Sequence, residues 1–457
     1  MAEPEDDPSA RALLAGDAGE PSVAEDHRVL GLPGLDAQTF RSAHYAGHLS
    51  IDRRTDSRIF YWLFEAEGGA ANKPLLVWLN GGPGCSSMDG LFLEVGPLRI
   101  DGDRIGINPH SWHRHANLLF VDQPVGTGFS FTRDRDSYPS TYPQVSEQFH
   151  QFLLVFFRLH SRFLLSNNPK QTIPIYICGN TFDIALKYLR CKSSIGESHA
   201  GIYIPYMVQT IFSKNGNSDI YFDVRGIALG NPWIEPFHQY DVSEYAYGMG
   251  FISKGQLNLL KQRERRCRDL LSKTKYNQRS CTSLLDEVLD ASTLRGHSRL
   301  VMYDARKFAT TPSFPPQHEA VERYLNRAEV RAALHVSACP HRFAECTDPP
   351  YNELLRWEGL GSSEALANIL DKDVPVLVFS GVHDVICNHL GVEKALRNLK
   401  WKGRLAWLKA SASVWLLDKR PVGYLTSHAN LHNLKVLDAG HMVADSNLEA
   451  DFPLFAF

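Results

Sequence analysis

Six short apolar segments recur along the chain and are separated by stretches of helical or turn-like composition. These segments are Leu75–Leu79, Asn117–Asp122, Ile175–Cys178, Val224–Gly230, Val374–Gly381 and Leu434–Gly440. Nearly continuous apolar runs of this length are typical of parallel strands that are covered on both faces. Between two of them, Phe149, Phe152 and Phe156 fall at helical spacing, as in a helix that packs on a sheet. The sequence therefore predicts an α/β fold with a mostly parallel central sheet and helices on both faces.

The composition is that of an ordinary globular protein with a large core. Of the 457 residues, 44% are hydrophobic and 22% are charged, and the formal net charge is -3. This balance gives no reason to expect binding to nucleic acid or to an anionic membrane. The longest apolar run, Phe152–Phe157, is too short to span a bilayer. Zinc-type Cys/His spacing, a P-loop and a dinucleotide fingerprint are all absent, so we expect no metal and no cofactor.

Two segments depart from the α/β pattern. Residues 1–26 carry eight acidic side chains against one basic side chain, which predicts a disordered acidic tail. Residues 236–324 are helical and charged and include a proline-rich turn, which predicts a helical cap insertion over the carboxyl edge of the sheet. The core would then be discontinuous and consist of residues 27–235 and 325–457.

Three residues with complementary chemistry follow one another in the order serine, aspartate, histidine. Ser198 lies in GESHAG, Asp384 follows the strand-like VLVFSGVH, and His441 follows LKVLDAG. A serine hydroxyl is a weak nucleophile until an imidazole accepts its proton, and a buried carboxylate orients that imidazole. The order is that of hydrolases built on an α/β sheet. A serine between glycines is also what an ordinary turn contains, so this motif alone leaves both interpretations open.

A glycine-rich segment follows the first predicted strand. It reads VWLNGGPGCSSMDGLFLEVGP over Val77–Pro97. A turn of this kind after an early strand can supply one backbone N–H to an oxyanion hole, and the residue after the nucleophile supplies the other. A tight structural turn is the alternative interpretation.

Several long motifs, in the same order, are similar to those of the serine carboxypeptidase family. They are WLNGGPGCSS, FVDQPVGTGFSFT, GESHAG, RGIALGNPWIEP, VMYDARK, YLNRAEVRAALHV, HDVICNHLG and DAGHMV. The resemblance extends from about Leu30 to Val443. It implies an α/β-hydrolase fold with a cap. It also implies release of C-terminal residues from peptides at acidic pH by acyl-enzyme chemistry, with peptide or protein C-termini as substrates.

The resemblance also assigns the catalytic residues. Ser198 would be the nucleophile, His441 the general base and acid, and Asp384 the residue that orients His441. The backbone N–H groups of Gly82 and His199 would form the oxyanion hole. His199 occupies a position where the family usually has tyrosine, which places a titratable ring beside the nucleophile.

A second set of residues would bind the C-terminal carboxylate of the substrate. The family pocket maps onto Asn80, Gly81, Glu94 and Glu197. Two carboxylates that lie close together cannot both ionise cheaply, so they share a proton. The protonated pair can donate a hydrogen bond to the substrate, whereas a doubly ionised pair would repel it. We therefore expect activity that declines as the pH rises.

Four of the eight cysteines match positions where the family places disulfides. Cys267 and Cys281 lie in the predicted cap and would form its staple. Cys85 lies in the glycine-rich turn, and Cys346 is the candidate partner. Because connectivity cannot be deduced from sequence, both pairs are hypotheses at this point.

The strongest departure from the family is a segment of seventeen residues, 179–195, between the strand IPIYIC and the nucleophile motif. In the family the strand runs directly into G-E-S-x-A-G. A nucleophile elbow depends on that strand, because a displacement of ~1 Å can lower a rate about 100-fold. Removing the segment would restore YICGESHAG, so it is either an anomalous insert or an artefact of the gene model.

The sequence leaves location, assembly and two alternative functions open. The family is ordinarily secreted or vacuolar and lysosomal, yet the first residues lack the basic start and apolar stretch of a signal peptide. The oligomeric state is unknown from sequence. An acyltransferase on the same fold is one alternative to a carboxypeptidase. A catalytically impaired relative that acts as a binding protein is the other, and the insert favours it.

Overall fold

The computed structural model describes residues 23–36, 38–71, 73–179, 199–274, 279–292, 298–309, 317–417 and 419–443. Its strands are β1 (His44–Asp52), β2 (Ser57–Phe64), β3 (Leu75–Trp78), β4 (Leu98–Asp101), β5 (Arg104–Ile107), β6 (Asn117–Asp122), β7 (Leu164–Leu165), β8 (Asn168–Thr172), β9 (Ile175–Gly179), β10 (Val224–Gly230), β11 (Arg299–Val301), β12 (Asp304–Ala309), β13 (Val376–Gly381), β14 (Ala412–Leu417), β15 (Arg420–His428) and β16 (Leu431–Val436). Its α-helices are α1 (Tyr142–Leu159), α2 (Ala200–Lys214), α3 (Pro236–Gln239), α4 (Ser243–Gly248), α5 (Lys254–Thr274), α6 (Arg279–Ala291), α7 (Gln317–Leu325), α8 (Ala328–Ala333), α9 (Asp348–Leu355), α10 (Ser363–Asp371), α11 (His389–Asn398) and α12 (Arg404–Trp407).

One ten-stranded sheet organises the chain. Its strand order is β1-β2-β6-β3-β9-β10-β13-β16-β15-β14. The six central strands, β6 to β16 in that order, pair in parallel, whereas both outer pairs are antiparallel. Every residue of β3, β6 and β13 is buried. Successive residues of a strand point to opposite faces, so both faces of these strands are covered. The mostly parallel sheet predicted from the sequence is confirmed.

The six predicted strands are the six central ones, with boundaries within two residues except at the last strand. The segment predicted as Leu434–Gly440 is strand only over Leu431–Val436. It starts earlier because Leu431 pairs with Val376 at the start of β13. It ends earlier because the following turn includes Asp438 at φ 53, a left-handed conformation that a strand cannot contain.

The helix predicted from the phenylalanine spacing is α1. Thr141 caps its N-terminus by accepting a hydrogen bond from the backbone N–H of Gln144, and the Gln144 side chain completes a capping box. Its apolar face buries Phe149, Phe152 and Phe156 completely. These rings lie in the main hydrophobic core together with the sheet residues. Burial of such rings, each worth about 2 to 3 kcal/mol, fixes α1 on the sheet.

The predicted cap, residues 236–324, contains α3 to α6, β11, β12 and most of α7. A disulfide joins Cys267 of α5 to Cys281 of α6, the pair that the family resemblance implies. The two helices pack against each other along their lengths. The division into core and cap stays a prediction from the sequence. None of the described helices is long and apolar enough to cross a bilayer.

The predicted acidic tail and the predicted insert fall largely outside the described residues. Residues 1–22 of the tail lie outside them, whereas Ala24–His27 form a single 3-10 turn. Of the insert, 179–195, the described part is Gly179, the last residue of β9. Residues 180–195 lie outside the described residues.

A buried chain of two imidazoles and one phenol holds the 3-10 turn to the core. The Tyr61 hydroxyl lies 2.8 Å from His27 Nδ1 and 2.8 Å from His160 Nε2. Burial, assisted by the nearby His335, lowers the pKa of His27 to about 4. Burial, assisted by Arg162, lowers the pKa of His160 to about 2. Both rings are therefore neutral in the folded protein at mildly acidic pH.

We expect this chain of side chains to make the fold sensitive to acid. In the unfolded chain both histidines bind protons below about pH 6.5, whereas the folded protein resists protonation, so stability is lost as the pH falls from that value. Replacing His27 and His160 by glutamine should remove about 2 kcal/mol per site of the stability difference between about pH 6.5 and about pH 4.5. Urea unfolding at the two pH values measures it. The partly exposed His428→Gln variant is the control. An unchanged pH slope in the double variant would refute the expectation.

Candidate active site

Three predicted site residues and one further residue, Asn231, lie at the carboxyl ends of parallel strands in the central sheet. Asn80 follows β3, Asn231 follows β10, Asp384 follows β13 and His441 follows β16. This edge of an α/β sheet is where ligands and catalytic residues collect, because parallel strands all end there. The topology therefore brings residues that are hundreds of positions apart into one site.

A carboxylate and an imidazole form the centre of the site. His441 Nδ1 lies 2.7 Å from Asp384 Oδ2, and both side chains are fully buried. The same Oδ2 accepts a hydrogen bond from Asn231 Nδ2 at 2.6 Å, and Oδ1 accepts one from the backbone N–H of Cys387 at 3.1 Å. Three donors fix the carboxylate. As a carboxylate can only accept, His441 carries its proton on Nδ1, which leaves Nε2 as the acceptor.

Two backbone hydrogen bonds hold Asp384 and His441 in place, one between their two loops and one to Tyr303. The His383 N–H donates to the carbonyl of Ala439 at 2.9 Å, and the His441 N–H donates to the carbonyl of Tyr303 at 2.7 Å. A Cβ at Gly381 would collide with the carbonyl of Gly440. Glycine at this position lets the loop after β13 touch the loop after β16, and the pairing of the two side chains depends on that approach.

Asn231 is a site residue that the sequence analysis did not single out. It follows the last residue of β10 and adopts φ 43, a left-handed conformation that asparagine tolerates better than most residues. Its backbone N–H donates to the carbonyl of Phe379 at 2.8 Å, which holds it beside the end of β13. A polar residue directly after a buried strand was the available signal. Its partner is 153 residues away, so the pairing required the sheet order.

The glycine-rich turn fixes the amide of Asn80. Its Oδ1 accepts a hydrogen bond from the Trp78 indole at 2.8 Å, and its backbone N–H donates to Ser87 Oγ at 3.2 Å. Asn80 Nδ2 is buried and has no partner among the described residues. With its oxygen occupied, the amide presents a donor that fits an incoming carboxylate.

The carboxylate of Asp122, the last residue of β6, accepts hydrogen bonds from the same turn. Ser86 Oγ and the Ser87 N–H donate to its Oδ1, and the Phe129 N–H donates to its Oδ2, at 2.5, 3.1 and 2.9 Å. Asp122 is buried completely. The hydrogen bonds that Asp122 accepts therefore anchor the turn after β3 to the neighbouring strand β6.

Gly82 lies at the sharpest point of this turn. Its φ is 105, and a Cβ there would lie 2.8 Å from the backbone nitrogen of Cys85. Only glycine fits such a position. Just beyond it, Cys85 forms a disulfide with Cys346, as the family resemblance implies. Gly81, the fourth residue before Cys85, accepts the Cys85 N–H at its carbonyl at 3.1 Å.

Glu94 lies at the end of a short π-helix, Gly90–Glu94, and is 3% exposed. Asn108 Nδ2 and the Arg99 guanidinium donate to its backbone carbonyl, each at 3.3 Å. These bonds hold the end of the helix. A buried glutamate near Asn80 in sequence is what the predicted carboxylate pocket requires.

His199 begins the helix α2 and points away from solvent. Its Nε2 lies 3.0 Å from the Tyr142 hydroxyl, and its ring packs against Tyr203 at 5.1 Å between centroids. Burial lowers the pKa of His199 to about 3. The ring is therefore neutral at mildly acidic pH and carries no charge at the start of α2.

Ser198 and Glu197 lie outside the described residues, whereas Gly179 and Ala200, on either side of that part of the chain, lie within them. A Cβ built on Gly179, the end of β9, would lie 2.8 Å from the Cβ of Ala200, the start of α2. The strand end and the helix start are therefore adjacent in space although they are 21 positions apart in sequence. Ser198 comes two residues before Ala200, so the two flanks have the placement of a strand-turn-helix elbow.

Within the described part of the chain, three groups of side chains could in principle offer metal ligands. One contains Cys85 and Cys346, whose sulfurs are in a disulfide. A second contains Asp384 and His441, the pair described above. The third, Asp89, His318 and Glu345, lies beside the glycine-rich turn and is treated below.

A family model described as serine carboxypeptidase matches residues 33–182 and 193–456. The match therefore includes β3, β10, β13 and β16 and the residues after each of them that build the site. The ten residues that it passes over, 183–192, lie inside the segment that separates IPIYIC from GESHAG.

Named relatives are similar over most of the chain. A pheromone-processing carboxypeptidase KEX1 of Phytophthora infestans is 34% identical over 428 residues, which are 92% of this chain and 69% of that protein. Serine carboxypeptidase S10 family member 2 of Dictyostelium discoideum is 34% identical over 440 residues, 91% of this chain and 73% of that protein.

A solved structure is also similar. The crystal structure of a prohormone-processing carboxypeptidase of Saccharomyces cerevisiae, KEX1, superposes with a TM-score of 0.80 at 26% identity. The alignment covers 94% of this chain and 95% of that one. With the family model and the sequence relatives, this shows that the chain belongs to the serine carboxypeptidase family.

Proposed function

We propose that this serine carboxypeptidase uses Ser198 as nucleophile, His441 as general base and acid, and Asp384 as the residue that orients His441. The observation that carries the proposal is the 2.7 Å contact between His441 Nδ1 and Asp384 Oδ2 in a fully buried pair. It commits one ring nitrogen to the carboxylate and leaves Nε2 to accept the proton of a serine. The hydrogen bond that Asn231 donates to Asp384 Oδ2 supports the same orientation of the carboxylate.

The reaction follows from these roles. Ser198 Oγ attacks the carbonyl carbon of the last peptide bond while His441 Nε2 accepts the hydroxyl proton. The oxyanion accepts hydrogen bonds from the backbone N–H groups of Gly82 and His199. His441 then donates the proton to the departing amine, and an acyl-enzyme remains. Water attacks the ester with its proton passing to His441, which returns it to Ser198 Oγ as the shortened peptide leaves.

Recognition of the free C-terminus is assigned to Asn80, Gly81, Glu94 and Glu197. Asn80 supports this role, because its buried amide nitrogen is held as a donor while its oxygen is occupied by Trp78. Relatives are named for processing pheromone and prohormone peptides, so we take oligopeptides with a free C-terminus as substrates. The two glutamates bind the substrate carboxylate only while they retain a shared proton, which gives an acidic pH optimum.

We expect Glu94→Gln and Glu197→Gln to weaken the preference for a free C-terminus and to flatten the pH profile. Glutamine replaces the shared-proton pair by an amide donor that does not titrate and is a weaker donor than a carboxylic acid, so KM for a peptide acid should rise roughly 10- to 100-fold at acidic pH. A matched peptide amide should be affected little. Steady-state kinetics on both substrates across acidic to neutral pH give the comparison, and the exposed Glu67→Gln variant is the control. Unaltered preference and unaltered pH profile in both glutamine variants would contradict the assignment.

A second expectation concerns Asn231. Glycine tolerates the positive φ of this position, so Asn231→Gly removes the amide without straining the backbone. Loss of one donor to the Asp384 carboxylate should lower kcat roughly 10-fold with little change in KM, because the bond orients a catalytic group and does not contact substrate. Asp384→Asn should lower kcat by as much as about 10⁴-fold. If Asn231→Gly matched the wild type in kcat, the orienting role would be wrong.

A third expectation concerns the segment 179–195. A fluorophosphonate probe should label Ser198, and Ser198→Ala should abolish both labelling and peptidase activity, whereas Ser213→Ala should not. Deleting 179–195 joins the strand directly to the nucleophile motif. We expect that deletion to increase the labelling rate, because an elbow needs a strand to fix its serine.

The labelling experiment also separates the alternatives. Absence of labelling in folded protein, with and without the segment, would favour the binding-protein alternative. Labelling without hydrolysis of peptide acids, but with transfer of acyl groups from small esters, would favour an acyltransferase.

A further inference from the structure

A buried cluster of three ionisable side chains lies beside the glycine-rich turn and takes no part in the chemistry above. His318 Nδ1 lies 3.2 Å from Asp89 Oδ1 and 3.1 Å from Glu345 Oε2. The exposed fraction is 4% for the His318 side chain and 0% for each carboxylate. Placing ionisable groups in a dry interior is unfavourable unless they are paired. A cluster of this kind therefore calls for a structural or functional reason.

The three residues come from separate parts of the chain. Asp89 directly precedes the π-helix that ends at Glu94. His318 lies in the first turn of α7. Glu345 precedes Cys346, the disulfide partner of Cys85. The cluster thus joins the turn to two elements that lie more than 200 residues further along the chain.

Glu345 is connected to the turn through its backbone as well. The Ser86 N–H donates to the carbonyl of Glu345 at 2.7 Å, and the Thr347 N–H donates to the carbonyl of Gly84 at 3.0 Å. These two bonds form a short antiparallel bridge on either side of the Cys85–Cys346 disulfide. The backbone that carries the Glu345 side chain is therefore fixed directly to the turn that contains Asn80, Gly81 and Gly82.

The charges in and around the cluster favour protonation. Burial lowers the pKa of His318, but the carboxylates of Asp89 and Glu345 outweigh it and raise that pKa to about 10. Burial, followed by the charge of Asp89, raises the pKa of Glu345 well above its ordinary range. Two further carboxyl groups face the cluster. Asp122 lies beside Asp89, and burial raises its pKa to about 7, while Glu322 of α7 accepts the Glu345 N–H at 3.1 Å.

We propose that Asp89, His318 and Glu345 form a proton-sharing brace that positions the glycine-rich turn for recognition of the substrate carboxylate. The proposal rests on the function assigned above to Asn80 and Glu94. These three are positioning residues, since they act through the turn and the π-helix. In acid the brace holds one imidazolium and one proton shared between the two carboxyl groups, so its net charge is zero.

The brace loosens as the pH rises. Loss of the shared proton leaves two carboxylates against one imidazolium, with Asp122 close by. Because the folded pKa of Glu345 is raised, its contribution to stability is complete below the ordinary glutamate pKa and is lost as the pH rises toward the raised value. His318 has the same sign, over the interval from 6.5 to about 10. Both groups therefore weaken the brace on going from acidic to alkaline pH.

Two variants test the positioning role through substrate selectivity. His318→Gln removes the only imidazolium of the cluster, and Asp89→Asn removes the carboxylate that precedes the π-helix. For each, kcat/KM on a peptide acid should fall roughly 10-fold through KM. Cleavage of the matched peptide amide, which presents no carboxylate, should change less than about 2-fold. A merely structural role would lower both substrates equally and would overturn the proposal.

The variant Glu345→Gln tests whether the brace depends on a proton held at Glu345. Glutamine resembles the protonated acid, so this variant should keep wild-type activity at about pH 5 and lose less thermal stability than the wild type between about pH 5 and about pH 7.5. Glu264→Gln is the matched control, since Glu264 is a buried glutamate in the predicted cap that bonds to Ser243 and not to the turn. It should leave the acid-to-amide selectivity unchanged.

Two results would overturn the brace. One is a wild-type pH slope of the melting temperature in Glu345→Gln. The other is a stoichiometric metal ion in the purified wild-type protein that is lost in His318→Gln, measured by elemental analysis, which would make the cluster a metal site. Absence of peptidase activity in the wild-type protein would instead count against the proposed function. Failure of the brace and failure of the proposed function are therefore distinguishable.

Discussion

The carboxylate of Asp122 is the interaction on which the edge of the sheet depends. It accepts three hydrogen bonds from the turn after β3 and from the loop after its own strand. Ser87, one of the residues that it holds, in turn accepts the N–H of Asn80. Without that anchor, a turn rich in glycine would sample many conformations, because glycine loses more backbone freedom on folding than any other residue. The geometry of Asn80 and Gly82 therefore depends on a fully buried carboxylate at the end of β6.

Buried ionisable groups act on this fold in opposite directions. The imidazoles of His27 and His160 must stay neutral, so they oppose acidification. The cluster around His318 must keep its protons, so it opposes alkalinity. The first set holds the start of the described chain to the core, and the second lies against the glycine-rich turn. Stability therefore falls both in acid and in alkali, and the cluster beside the turn sets the upper pH limit.

Much of the sheet and half of the candidate site could be predicted from the sequence. The apolar runs identified the six central strands, since parallel strands covered on both faces leave a continuous signal. Asp384 and His441 could be placed because each directly follows such a run and family motifs surround both. Asn231 was missed, because its partner is known only when β10 and β13 are known to be neighbours.

Other features depend on contacts that no local pattern encodes. His318 and Glu345 lie in segments with ordinary composition, and only the tertiary fold brings them to Asp89. The 3-10 turn at Ala24–His27 lies within the stretch whose acidity predicted a tail. It is held by His27, a single residue whose partner lies in β2. The end of β16 was misplaced because Leu437 and Ala439 continue the apolar run, while the left-handed backbone of Asp438 ends the strand.

The contact between Gly179 and Ala200 has a consequence for how this protein can change. Because the end of β9 lies beside the start of α2, the fold already holds the two ends of the intervening segment together. The entropic cost of closing such a segment rises only with the logarithm of its length, by about 0.6 kcal/mol for each doubling. Sequence can therefore be added or removed between β9 and α2 at little cost to the stability of the sheet, although the proposed nucleophile, Ser198, lies between them in the chain. Folding of the sheet thus sets no tight limit on the length of this segment.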